Sequence, residues 1–310
     1  MITVLCGGVG GSRFLRALAS VVDPARITAV VNTGDDQEFH GLHISPDPDI
    51  VIYTLAGLVD EERGWGFRGE TFRWLDHMRR FGHDTWFQIG DRDLATHLHR
   101  TRLLRDGRTL SEATAEIAQA FGVTVRVLPM SGDRVRTVVQ TDAGDLSFQR
   151  YLVERHASDS VRGVRFDGAD EARPASGVID AIASAEAIFI APSNPIASIG
   201  PILAIPGVRG AIAASTAPVV AVSPIIGGRS LQQPAAEMMA GLGYDVSATA
   251  LASIYDGVAR TIIIDDTDRT LRAAVEDAGV SCVVGPTIMR DDTSRRTLGR
   301  LALHAAGIDA

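Results

Sequence analysis

ITVLCGGVGGSRFLRALASV, residues 2–21, sets an apolar β-branched run, a glycine-rich turn and an amphipathic stretch in direct succession. A short apolar run without polar alternation is what a parallel strand covered on both faces looks like. The same grammar recurs along the chain: ITAVVN ends in TGDD, AIFIA in PSNP, PVVAVS in PIIGG and TIIID in DTD. Helix-patterned SGVIDAIASA, QPAAEMMAGLG and RTLRAAVEDAG lie between these runs. The alternation predicts a doubly wound, mostly parallel α/β sheet of the Rossmann-like kind. In that architecture ligands gather outside the carboxyl ends of the strands, so the polar turns should face one crevice.

Residues 58–156 read differently. ETFRWLDHMRRFG, DRDLATHLHRTRLLRDG and TLSEATAEIAQAFG have helical patterning, the last opened by a Thr109/Glu112 capping box. VRTVVQT and DLSFQRYLV around DAG predict an antiparallel hairpin. The whole chain is thus expected to be one α/β domain over residues 1–310, with a mainly helical insertion subdomain at 58–156 walling the crevice. All three tryptophans, Trp65, Trp74 and Trp86, fall in that insertion. Most should pack its own core, and a minority should line a pocket beside Arg92.

Composition narrows the function. With 45% apolar and 22% charged residues over 310 positions, the chain has ordinary globular proportions. No apolar run approaches the roughly 20 residues of a membrane span, and no signal-like leader opens the sequence. Cys6 and Cys282 sit in apolar runs and read as reduced core residues, pointing to the cytoplasm. A net charge of −8 with no basic aromatic stripe argues against nucleic acid as partner. All 30 basic residues are arginine, so Schiff-base, P-loop and kinase-type lysines are excluded. Any cation the chemistry needs must be arginine, a metal or backbone N–H.

Four segments carry candidate chemistry. GGVGGSRF, with Gly8, Gly10, Gly11 and Arg13, follows a strand and opens a helix, where a phosphate can sit against free N–H groups. It matches neither the dinucleotide fingerprint nor the P-loop, and a turn built only for tight packing would look similar. TGDDQEFHGLHISPDPDI, residues 33–50, crowds Asp35, Asp36, Asp47 and Asp49 together. If PDPD is extended, Asp47 and Asp49 project to one side, and convergent carboxylates with a diphosphate are how magnesium is held. A solvated acidic turn is the plain alternative. Asp91, Arg92 and Asp93 stand at a helix start, where acidic residues also serve as caps. Ser193, Asn194, Ser223 and Gly227 lie in turns suited to phosphate or base contacts, or to turns alone.

Taken together, GGVGGSRFL, VVNTGDD with HGLHISPDPDIVIYTLAG, GDRDLATHLHRT, APSNPIASIGPILAIPG and VAVSPIIGG resemble the 2-phospholactate/phosphoenolpyruvate transferases of coenzyme F-420 biosynthesis. The likeness spans nearly the whole chain, with Pro48 standing where the family pattern has leucine. It implies transfer of a phosphoenolpyruvate or 2-phospholactate phosphoryl unit from a guanosine-diphosphate-linked donor to a hydroxyl of the deazaflavin Fo, with release of GMP. It also implies magnesium dependence and a homodimer. By the same resemblance, Gly8, Gly10, Gly11, Arg13, Ser193, Asn194, Ser223 and Gly227 would contact the nucleotide. Asp35, Asp36, Asp47 and Asp49 would hold the metal. Asp49, Gln88 and Arg92 would face the deazaflavin, with Asp49 and Arg13 as the catalytic residues. Two other readings remain open at this level: a nucleotide-sugar transferase with an Asp-x-Asp metal site, and a non-catalytic nucleotide-binding module.

Overall fold

The computed structural model describes residues 1–309. Its centre is a seven-stranded sheet of β1 (Ile2–Cys6), β2 (Ile27–Val31), β3 (Arg126–Pro129), β4 (Ala187–Ile190), β5 (Val219–Val222), β6 (Thr261–Asp265) and β7 (Ser281–Gly285). The spatial order is β7-β6-β5-β4-β1-β2-β3, with every neighbouring pair parallel. Side chains alternate between two cores, as a sheet covered on both faces requires: Ile2, Val4 and Cys6 enter one and Leu5 the other. The doubly wound expectation is met. Strand order reverses between β1 and β4, so the crevice opens where the turns after Cys6 and Ile190 meet.

Those two turns approach so closely that side chains are excluded. A Cβ on Gly10 would stand 2.2 Å from the Pro192 carbonyl oxygen, and one on Gly11 2.6 Å from Ser193 Oγ. Ser193 Oγ stitches the same junction, accepting from Gly7 N–H at 3.1 Å and donating to Gly7 C=O at 2.8 Å.

Helices α1 (Gly8–Ala19), α2 (Pro46–Leu55), α3 (Arg73–Arg80), α4 (Asp93–Arg105) and α5 (Leu110–Ala120) follow in the first 120 residues, with α1 packed on α2 and α4 on α5. The Thr109/Glu112 capping box of α5 is formed. The expected hairpin forms only in part: Arg136–Thr141 pairs with Gly144–Ser147, but the rest of the second expected strand turns helical at Arg150–Glu154, and a third strand, Val161–Asp167, lies on the other side beyond residue 156. A second correction concerns β3. Its RVLP segment lies inside the supposed insertion, yet pairs with β2 as the edge of the main sheet. Residues 58–156 are therefore a helical excursion that returns to the sheet and then leaves it again. No single helix is long and apolar enough to cross a membrane among the described residues.

Not every glycine is constrained in this way. Gly210 lies exposed within the helix Val208–Ala214, and a Cβ there meets nothing within 4 Å. Gly210→Ala should raise stability by up to about 1 kcal/mol, since Gly costs roughly that much in a helix interior. A chemical denaturation midpoint equal to or below that of the parent would contradict this.

Candidate functional site

The acidic segment folds back on itself before it reaches PDPD. Gln37–Phe39 and Leu42–Ile44 pair antiparallel across His40 and Gly41, whose φ values of 52° and 74° give the doubly left-handed turn that short hairpins favour. This brings Asp35 and Asp36 beside the start of α2. There the extended reading of PDPD fails, because Pro46–Leu55 is helical with Ser45 at the N-cap position. The first four N–H groups of a helix have no intrahelical partner, so prolines at its first and third positions forfeit nothing. The first ladder bond is Asp49 N–H to Ser45 C=O at 3.1 Å. At about 100° per residue, Asp47 and Asp49 lie roughly 200° apart and face different surroundings.

Asp47 turns toward β1 and α1. Asn32, immediately after β2, donates through Nδ2 to Asp47 Oδ2 at 2.9 Å and to Asp35 Oδ1 at 3.2 Å, bridging two buried carboxylates. A Cβ on Gly7 would sit 2.3 Å from Asp47 Oδ2, so the glycine leaves room for this carboxylate at the start of α1. Burial pushes the Asp35 carboxyl well above its usual range, and the charge of Asp47 adds to it. Burial likewise raises Asp47, against hydrogen bonds from Asn32 and Gly8, to about 6. Asp36 stands apart, accepting from Ser45 Oγ at 2.8 Å and lying 3.0 Å from His43 Nε2.

Asp49 turns the other way, into a buried network. Arg100 of α4 forks onto both its carboxylate oxygens, and His97 Nδ1 lies 3.6 Å from Oδ2. His97 Nε2 is 3.2 Å from Asp93, whose other oxygen accepts from Tyr53 OH at 2.7 Å. Burial raises the Asp49 carboxyl, with Arg100 and His97 pulling it back. Burial opposes ionisation of Asp93 too, but His97, Tyr53 and Arg100 outweigh it and hold that carboxyl below its usual range. Sequence reasoning passed over His97 and Arg100, although Asp93, His97 and Arg100 at i, i+4 and i+7 share one helix face.

The four aspartates thus divide. Asp35 and Asp47 form one pair with too few donors for its charge, which suits an oxygen-liganded divalent cation. Asp49, Asp93 and His97 also offer ligand atoms within 4.8 Å of one another, but Arg100 already occupies both oxygens of Asp49 in that group. The nucleotide-sugar reading relied on Asp47 and Asp49 converging, and α2 prevents this.

The remaining predicted residues have mostly internal partners. Asn194 caps the turn it begins, accepting from Ile196 N–H at 2.9 Å and Ala197 N–H at 3.1 Å. Ser223 Oγ bonds within its own turn to Ile225, and Gly227 N–H donates to Asp268 at 3.1 Å. Gly10 and Gly11 are close-packing positions, as above, while Gly8 holds the left-handed φ of 62° that starts α1. Half-buried Arg13 donates to the Glu61 carbonyl at 3.5 Å; burial and the charge of Arg295 lower its pKa. Gln88 and Arg92 are exposed, and Arg92 donates to the Arg68 carbonyl at 2.9 Å. Asp91 does cap a helix, but that of α3, accepting from Trp74 N–H at 3.0 Å; Glu70 returns the service to α4 through Arg92 N–H at 2.9 Å. Of the aromatics, Trp74, Trp86 and Phe87 gather around Phe39 and His40 of the hairpin.

A doubly wound sheet with buried carboxylates beside the turns at its switch point defines an α/β protein whose polar crevice lies at the carboxyl edge of the sheet. The chain belongs to the 2-phospho-L-lactate transferase CofD family, whose model matches residues 2–284. It is 44% identical to a phosphoenolpyruvate transferase of Kitasatospora aureofaciens, covering 98% of this chain and 97% of that one. It is 41% identical to a 2-phospho-L-lactate transferase of Methanopyrus kandleri, covering 98% and 96%. A solved structure of a UPF0052 family member from Bacillus halodurans superposes with a TM-score of 0.64 at 17% identity over 97% of this chain and 98% of that one, a likeness of fold. The chain is accordingly a transferase of this family.

Proposed function

We propose that the protein moves a phosphoenolpyruvate or 2-phospholactate phosphoryl unit from a guanosine-diphosphate-linked donor to the ribityl hydroxyl of the deazaflavin Fo, in coenzyme F-420 biosynthesis. The observation that carries this reading is the Asp35–Asp47 pair at the switch point. Two buried carboxylates share one amide donor beside the start of α1, where a diphosphate with its cation would balance them. Magnesium bound there would be held by Asp35 and Asp47 and would neutralise donor phosphate oxygens. The acceptor hydroxyl oxygen forms a bond to the distal phosphorus, the bond from that phosphorus to the bridging oxygen breaks, and GMP departs with the electron pair. The hydroxyl proton passes to Asp49, whose buried carboxylate is the more basic for its burial. Catalysis of this kind is positioning plus electrostatics. The enzyme works in the cytoplasm as a homodimer, and Arg13, Gln88 and Arg92 complete the donor and acceptor contacts.

Incubating the protein with Fo and either donor, and following GMP and product mass, tests the reading. No product from any such donor would overturn it. Two names among the relatives, phosphoenolpyruvate transferase and 2-phospho-L-lactate transferase, make the choice of donor the natural competition assay.

The metal assignment has a readout independent of activity. Asp47 titrates near 6 when folded against an ordinary 3.8. The folded state therefore binds the proton more tightly, and stability falls as pH rises from about 4 through 6. A divalent cation should restore what is lost. Magnesium should raise the melting temperature by several degrees at pH 8 and hardly at all at pH 5, and Asp47→Asn should abolish the gain. An equal gain in the Asp47→Asn protein would place the metal elsewhere.

A further inference from the structure

Arg100 is the largest fully buried side chain of the protein, with no accessible surface. It rises from α4 and spans three elements. Its guanidinium takes both oxygens of Asp49 from α2, reaches the His43 carbonyl of the hairpin at 3.4 Å, and lies 3.2 Å from His97 Nδ1. Its Nε has no hydrogen-bond partner among the described residues. His97, also buried, is wedged between the two carboxylates, with Nδ1 3.6 Å from Asp49 and Nε2 3.2 Å from Asp93, and Tyr53 OH donates to Asp93 in turn.

As a device for stability this arrangement is poor. Taking a carboxylate and a guanidinium out of water costs about as much as their attraction returns, and apolar residues of like volume would join α2 to α4 equally well. The unpartnered Nε adds a further cost. What apolar packing cannot do is fix the plane of a carboxylate, and a planar fork gripping both oxygens does that.

We propose that Arg100 and His97 are positioning residues, holding the Asp49 carboxylate in a single orientation for the acceptor hydroxyl without touching either substrate. This rests on the role given to Asp49 above. The groups that face Asp49 are Arg100, His97 and Asp93 from α4 and Tyr53 from its own helix. Two carboxylates are thereby set against one guanidinium and one imidazole.

Arg100→Lys keeps the charge and removes the fork. We expect kcat to fall on the order of 100-fold, the cost of a misplacement of about 1 Å, with the KM for the guanosine-diphosphate-linked donor within about twofold of the parent. His97→Gln should lower kcat about tenfold with the same donor KM. If Arg100→Lys does not fold, the His97→Gln measurement decides. Either variant turning over within about twofold of the parent while folded would overturn the proposal. So would a rise in donor KM matching the loss of kcat, which would mean a general loosening of the site. A parent protein that forms no product with Fo would instead remove the proposed function, so the two failures are distinguishable.

Discussion

Asp49→Asn should lose both turnover and stability, and the second loss separates a buried network from a surface acid. A carboxylate on a polar rim can be neutralised without harm to the fold. Asp49 is 4% exposed and neutralises Arg100, which has no contact with water. The amide keeps one acceptor but carries no charge and turns its N–H₂ toward the guanidinium, leaving a buried cation uncompensated. Breaking such a pair from one side typically costs 3–5 kcal/mol, and the retained acceptor places the expected loss near about 3 kcal/mol. Turnover should fall below detection, because the proton acceptor and the charge that Arg100 orients vanish together. Denaturant melts of the parent and variant measure the first effect and GMP release the second. An unchanged denaturation midpoint would mean that Arg100 finds its counter-charge elsewhere. The double variant Asp49→Asn/Arg100→Met should regain much of the lost stability and none of the activity.

What could be read from sequence alone follows the strength of the local signal. The strands Ile2–Cys6, Ile27–Val31, Ala187–Ile190, Val219–Val222 and Thr261–Asp265 are apolar along their length, because both faces of the sheet are covered. RVLP at 126–129 gave no such signal: it is an edge strand of four residues that begins with arginine and ends in proline. PDPD misled for a definite reason. Proline favours extended backbone in general, yet it is also at home in the first turn of a helix, and only the partners of Asp47 and Asp49 show which applies. The polar turns were ambiguous in the same way. Asn194, Ser223 and Gly227 are residues that suit ligand contacts and self-bonded turns alike, and their atoms are spent on Ile196, Ile225 and Asp268. Arg100 and His97 were legible only by treating residues 93–105 as a helix with a polar buried face, a pattern that composition disguises.

Gly10→Ala should be damaging out of proportion to the single methyl group it adds. The added Cβ would lie 2.2 Å from the Pro192 carbonyl oxygen and 3.2 Å from its carbonyl carbon, both backbone atoms that no rotamer change can move aside. Relief requires the turns after β1 and β4 to separate by about 1 Å at the point where strand order reverses, and overpacking of this kind typically costs 1–3 kcal/mol. The larger consequence is geometric. Ser193 spans those turns through Gly7 N–H and C=O, and the Gly7–Gly8 backbone in turn abuts Asp47. Shifting the turn therefore moves the start of α1 relative to the Asp35–Asp47 pair. A displacement of about 1 Å there should lower turnover on the order of 100-fold. The magnesium-dependent gain in melting temperature at pH 8 should shrink with it, whereas a purely global destabilisation would lower the melting temperature and leave the gain intact. A folded Gly10→Ala protein with parental turnover would show that the two turns are not held in contact at the switch point, and that the close approach seen between Gly10 and Pro192 is not required for the site to assemble.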